Sequence, residues 1–261
     1  MWRELVAFRG RSSRSADLWL AVTGFAVVLA GWWSATASGL VVPQVLPGPW
    51  AVVAALWRMI VQQRFLVDCA ISICRVWLAF LLSVVMAVPL GILMSTYRIV
   101  GGLTEPLVDF IRYLPVPALV PLTIIWLGIG EGSKIALLWL GTFFQLVLLI
   151  ADDAKRVPRE YVEIAFTVGA GRRHVLKDVV FPAMLPSMVD NLRITLGWCW
   201  TYLIVAEIVA ASSGIGFVIW QARRYVKTPE VMAGILAIGI IGLASDQAIR
   251  WLHRSWFRYL H

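Results

Sequence analysis

The chain has 261 residues, of which 60% are hydrophobic and 15% charged, and its mean hydropathy is +0.81. This is too apolar for a soluble globular domain and points to an all-α, polytopic membrane protein. The net charge of +8 does not indicate nucleic acid, because the cations fall between hydrophobic runs and not along one polar face.

At the N-terminus, Arg3, Arg9, Arg11 and Arg14 precede an apolar run, and Ala35-Thr36-Ala37 imitates a signal-peptide cleavage site. The uncharged stretch from Leu18 runs past Trp33, longer than the ~7 to 15 residues of a signal-peptide core, so an uncleaved first span at 18–40 is expected after a cytoplasmic segment, 1–17. Pro43, Pro47 and Pro49 then break the chain, and residues 50–60 read as a short amphipathic helix at the outer surface.

The second span is expected at 70–95 and the third at 110–127, interrupted by Pro115, Pro117 and Pro121. Each of these prolines leaves a carbonyl without its helical donor, which membrane depth tolerates where protein or a water-filled path supplies partners. The third span is therefore a candidate for pathway lining, or for a kink that only shapes packing. The fourth span is expected at 135–151, the fifth at 188–211 with Arg193 and Glu207, and the sixth at 231–251 with Asp246. A Gly/Ser-rich connection and then Arg223, Arg224 and Lys227 lie between the last two. These three cations suit either a contact with an extracytoplasmic partner or anion, or a solvated turn.

Charged side chains at membrane depth need partners. Position along the spans suggests Arg75 with Glu207 toward the outer side and Arg193 with Asp246 toward the inner side, while Asp109 and Arg112 have the spacing of a local helical pair near the inner surface. With the N-terminus inside, 14 of the 23 Lys and Arg residues fall on cytoplasmic segments, which places both termini and the 155–186 loop in the cytoplasm. Cys69, Cys74 and Cys199 lack any metal or redox spacing and are expected to be buried thiols.

The 155–186 loop is the charged island of the sequence. Pro158 suits the start of a helix, Glu160 and Glu163 share one face of it near its N-terminus, and Ala165 removes bulk there. Gly169-Ala170-Gly171 supplies a turn into a second helical stretch with Arg172, Arg173 and Lys177, which Pro182 and Pro186 are expected to end. A bent helix pair with a small, acidic front suits a groove on another protein.

Glu163-Ile164-Ala165, then Gly169, then nine residues to Val179-Val180-Phe181-Pro182 resembles the EAA loop of ABC importer permeases. Ile164, Val179 and Phe181 depart mildly from that pattern. The segment LPGPWAVVAAL, the Pro-rich third span and AEIVAASSGIGFVI are similar to the nitrate, sulfonate, taurine and bicarbonate branch.

The resemblance implies a type I ABC importer permease fold in a bacterial inner membrane. Its loop would be a coupling helix, with Glu163, Ala165 and Gly169 at the contact with an ATPase subunit and Glu160, Arg172 and Arg173 beside them. It also implies a second permease copy, two ABC ATPase subunits that bind ATP and Mg, an extracytoplasmic solute-binding protein, and a small anionic solute. The chain itself carries no G-x-x-x-x-G-K-[ST], since GIGEGSK at 128–134 has the wrong spacing, so no bound cofactor is expected. An ion-coupled secondary transporter would show repeats and midplane carboxylates, and an intramembrane enzyme a His or paired acids within the spans. Neither pattern is evident.

Overall fold

A computed structural model of the chain describes residues 14–39, 41–210 and 212–256. Arg3, Arg9 and Arg11 of the expected cytoplasmic N-terminal segment lie outside the described residues, as do Arg258 and His261. Among the described residues all regular structure is helical. In chain order there are α1 (Arg14–Ala37), α2 (Pro49–Gln62), α3 (Phe65–Thr96), α4 (Arg98–Arg112), α5 (Val120–Leu127), α6 (Glu131–Lys155), α7 (Arg159–Thr167), α8 (Phe181–Ala210), α9 (Ile215–Arg224) and α10 (Thr228–Trp256).

Among the described residues, five helical stretches are long and apolar enough to cross a membrane, or six if α4 and the run after it count as one bent span. α3 has 32 residues, about 48 Å at ~1.5 Å per residue, so it starts before the expected second span and exceeds the hydrocarbon core. Arg75 therefore lies more than two turns inside the helix and not at its start.

Two expectations about proline need correction. Residues 110–127 are not one kinked span: α4 ends at Arg112, a 3₁₀ turn covers Val116–Leu119, and the two flanking runs meet at 94°. Pro115 is extended ahead of that turn, while Pro117 and Pro121 sit at the first positions of the next helical pieces, where a missing N–H costs nothing. Conversely, Pro182 and Pro186 do not end the island. The chain passes from one turn, Arg172–His174, through a π-helical segment, Val175–Val180, directly into α8. The wider π turn ahead of Pro182 makes room where the ring would press on the preceding carbonyl.

The spine of the fold is α3 against α6, with α8 packed on α6 and also touching α3. The helices come close because Gly91 has no side chain: a Cβ there would lie 2.8 Å from Ile150 Cβ and from the Val147 carbonyl oxygen. Further along the same seam, the buried Ser83 and Thr142 hydroxyls share a 2.8 Å hydrogen bond. Gly91→Val forces backbone to move, and overpacking of this kind costs roughly 1–3 kcal/mol. A clear fall in the thermal midpoint of the detergent-solubilised protein is the expected result.

Among the described residues, the buried ones form two clusters. One, around Met59, Phe65, Phe80, Leu137, Leu203 and Ile215, gathers α2, α3, α6, α8, α9 and α10. The other, around Met94, Leu146, Ile150 and Met184, includes Ala165, Val175 and Val180 of the island. The island is thus bolted to the core by its own apolar residues. α2 has the expected amphipathic character, burying Val52, Ala55 and Met59 while Trp50, Val53 and Trp57 are exposed. α1 has its apolar side chains largely exposed and touches the rest through Trp32, which packs on the first cluster and donates to the Pro47 carbonyl at 3.0 Å. Cys69 and Cys199 are buried, whereas Cys74, expected buried, is exposed on α3.

Candidate functional site

The island surface is built around α7. Pro158 caps the helix and Glu160 lies in its first turn. The end is fixed by Gly169, whose φ of +86° is the left-handed conformation that glycine adopts without strain. The Gly169 N–H donates to the Phe166 carbonyl (3.0 Å) and the Ala170 N–H to the Ala165 carbonyl (2.9 Å), the paired bonds of a Schellman ending. Ala165 is buried and faces inward.

The outward face carries an apolar strip besides the acidic pair expected from sequence. Tyr161, Ile164 and Val168, at helical spacing, are 53%, 62% and 78% exposed. Glu160, Arg172 and Arg173 are exposed around this apolar strip. Glu163 is exposed as well, and it also lines a cleft of about 790 Å³ beside α7, together with Arg98, Lys155, Arg159 and Arg172. Four cations thus share its cleft, and one of them, Lys155, is paired with Glu105 at 3.2 Å. The periodicity of YVEIAFTV in the sequence already contained the apolar strip, but the neighbouring charges drew attention away from it.

At the other end of α3 lies a buried polar hub. Arg75 is 2% exposed and Glu207 0%, and Arg75 Nη1 donates to Glu207 Oε1 at 2.7 Å. The guanidinium has four further bonds. Nε and Nη2 donate to the two oxygens of Glu131, each at 2.6 Å, and Nη1 and Nη2 donate to the Ser213 carbonyl and hydroxyl at 2.8 and 3.0 Å. All five guanidinium N–H groups are thereby used.

The Glu207 carboxylate also accepts from Ser72 Oγ (2.7 Å) and from the Gly216 N–H (2.7 Å). Ser72 Oγ in turn accepts the Ile215 N–H at 2.9 Å, and Asp68 accepts the Gly214 N–H at 2.7 Å. The unpaired N–H groups at the start of α9 are thus capped by side chains from α3 and α8. Gly214, with φ +106°, leaves the space: a Cβ there would meet Glu207 and Arg75. The hub ties α3, α6, α8 and α9 together.

Sequence reasoning found the Arg75–Glu207 contact but missed Glu131, Ser72, Ser213 and Asp68. Glu131 follows Gly128 and Gly130 in a turn read only as a failed phosphate motif. Arg193 is held by Asp246 in a two-pronged bond (2.8 and 3.1 Å) and also by Asp190 at 3.0 Å, in a half-exposed setting.

Arg223, Arg224 and Lys227 are exposed. Arg224 lies over the Trp220 ring at 5.7 Å and Lys227 is 3.4 Å from Glu230, so the structure gathers no shared site from them. Asp109 and Arg112 form their local pair at 2.9 Å. Arg112 also lies in a cleft with Gly141 and Gln145 from the middle of α6. Pro115 and Pro117 line the same cleft, and Pro121 does not. No group of His, Cys, Asp and Glu suited to a metal occurs among the described residues.

Residues 79–258 match the family model described as a binding-protein-dependent transport system inner membrane component. A probable ABC transporter permease protein of Brucella melitensis is 35% identical over 239 residues, covering 92% of this chain and 96% of that protein. The taurine transport system permease protein TauC of Escherichia coli is 34% identical, covering 92% and 89%. A putative aliphatic sulfonates transport permease protein of Bacillus subtilis is 32% identical, covering 90% and 85%. Among solved structures, a chain of the MetNI methionine ABC transporter in inward-facing form superposes with a TM-score of 0.55 at 21% identity, covering 78% of this chain and 98% of that one. That likeness concerns the fold.

Proposed function

The chain belongs to the binding-protein-dependent transport inner membrane components and is a permease subunit of an ABC transporter, and from that premise we propose that α7 is the contact through which a separate ATPase subunit moves it. The family works with an ATPase and a binding protein. The observation that carries the proposal is the exposed strip Tyr161, Ile164 and Val168 on a short helix whose opposite side, through Ala165, is packed into the core with Val175 and Val180. An exposed apolar strip on an otherwise charged loop marks a docking surface. Its rigid backing converts a push on α7 into movement of α6 and α8.

Two copies of the chain would enclose the pathway, each taking one ATPase subunit, which binds and hydrolyses the ATP with Mg. Closure of the ATPases draws the two islands together, and the pathway opens alternately to either side. The excess of Lys and Arg on the loop and terminal segments supports placing these in the cytoplasm of an inner-membrane protein.

A small anion is the proposed solute. Relatives are named for taurine, aliphatic sulfonates and bicarbonate. Selection would rest mainly with the binding protein, which would dock on a surface of this chain that includes Arg223, Arg224 and Lys227.

Co-purification and reconstitution test this reading. The tagged chain is expected to bring down its ATPase subunit, and proteoliposomes holding both are expected to accumulate the solute only with ATP and binding protein. Uptake without the ATPase subunit would overturn the assignment.

A further inference from the structure

The right-angled break between α4 and the run after it leaves a cleft of about 450 Å³ beside the middle of α6. Its polar groups are Arg112, Gln145 and Tyr202, with the Trp198 indole close by. The Gln145 amide, the Tyr202 hydroxyl and the Trp198 N–H make no hydrogen bond to any described residue, although all three side chains are half-buried. Arg112 is held in place from one side, by Asp109 at 2.9 Å and by the Tyr113 hydroxyl at 3.0 Å with its guanidinium over the Tyr113 ring. Its Nη1 has no partner within the described chain.

Donors without partners at mid-span, in a space of this size, are the converse of the fully committed Arg75 hub. Unlike the hub, the cleft has hydrogen bonds to offer. The rest of its wall is apolar and aromatic, from Phe144, Leu140 and the rings of Trp198, Tyr113 and Tyr202. Such a wall suits a carbon body, whereas bicarbonate or nitrate would leave it facing water.

We infer that this cleft is a transit site for a small organic anion, the oxyanion head of a sulfonate or carboxylate lying on Arg112, Gln145 and Tyr202 and its short carbon chain on the aromatic wall. The inference rests on the reading of the chain as a transport permease. A single cation already shared with Asp109 gives weak binding, as a passing station requires. Room in the cleft depends on Gly141, since a Cβ there would lie 2.6 Å from the Tyr202 ring and force the ring to move.

The test is saturation-transfer NMR with ethanesulfonate as probe, on the purified complex of permease and ATPase subunit without binding protein. Ethanesulfonate is expected to give a signal with the wild type. Gln145→Ala, which removes one hydrogen bond to a charged ligand, is expected to weaken binding about tenfold. Gln145→Glu, nearly the same shape but repelling an anion, is expected to abolish the signal. Gly141→Ala is expected to reduce it, and Thr201→Ala, on an exposed part of α8 outside the cleft, is expected to leave it unchanged.

Absence of the wild-type signal, or a signal indifferent to Gln145→Glu, overturns the site. Displacement of ethanesulfonate by equal concentrations of nitrate or bicarbonate overturns the organic class. A sample in which no ATPase subunit co-purifies would instead count against the permease reading, so the two failures are distinguishable on the same preparation.

Discussion

Replacing Arg75 with alanine is expected to be among the most damaging single changes in the protein. It strands Glu207, which is fully buried, and removes five hydrogen bonds at once. Breaking a buried ion pair from one side costs about 3 to 5 kcal/mol, because the remaining charge has no solvent to turn to. The expected outcome is little monodisperse protein in detergent, and a sharply lowered thermal midpoint for what survives. Glu131→Gln should be milder, since Glu131 is 56% exposed and water can take over part of its role.

The hub also determines how charge reversal behaves. Exchanging Arg75 and Glu207 places a carboxylate beside Glu131 and a cation against the Gly216 N–H, so the double change Arg75→Glu with Glu207→Arg is expected to be no better than either single change. At Arg193 and Asp246 the side chains are 19% and 29% exposed, and Arg193 is also bonded to Asp190. There the reversed pair is expected to regain most of the stability lost by the single changes. Thermal midpoints of the two sets side by side decide between a network and a plain pair.

The second large effect is expected at Gly169. A valine at φ +86° is strained by its branched Cβ, and an ordinary residue in this region already costs roughly 1–2 kcal/mol. The simplest relief is to undo the Schellman ending, which releases the Ala165 and Phe166 carbonyls and lets the α7 strip swing away from its backing. Global folding is expected to survive, because a Cβ at Gly169 meets nothing. Solute uptake is expected to fall by at least about tenfold, the effect of ~1.4 kcal/mol or more, while the amount of inserted protein holds. Gly169→Asn, a residue that tolerates this conformation, is expected to retain much of the uptake. Glu163→Lys attacks the same surface differently, adding a fifth cation to a cleft that already holds four. Normal uptake by both Gly169→Val and Glu163→Lys would remove the support for α7 as the coupling element.

How far the sequence reached depended on the range of the interactions. Long hydrophobic runs locate helices because the bilayer imposes a length, and spacing within the island located Gly169 because its turn is local. The Arg75–Glu207 contact could be anticipated because membrane charges must pair and few partners exist. Glu131 and Ser213 could not, since their role depends on where two loops come to rest over α3. Proline misled in both directions for a physical reason. Its effect depends on whether its missing N–H falls at a helix start, as for Pro117 and Pro121, or inside a helix relieved by a π turn, as for Pro182. The apolar face of α7 was available from periodicity, but exposure, which gives it meaning, is a property of the fold.

The most direct test of the central claim places a photo-crosslinking amino acid at position 164, in the middle of the exposed strip, in cells that express the ATPase subunit. Illumination is expected to join the chain to that subunit, and the same probe at Trp57, exposed on α2, is expected not to. Capture of the ATPase subunit from position 57 but not from position 164 would contradict the account.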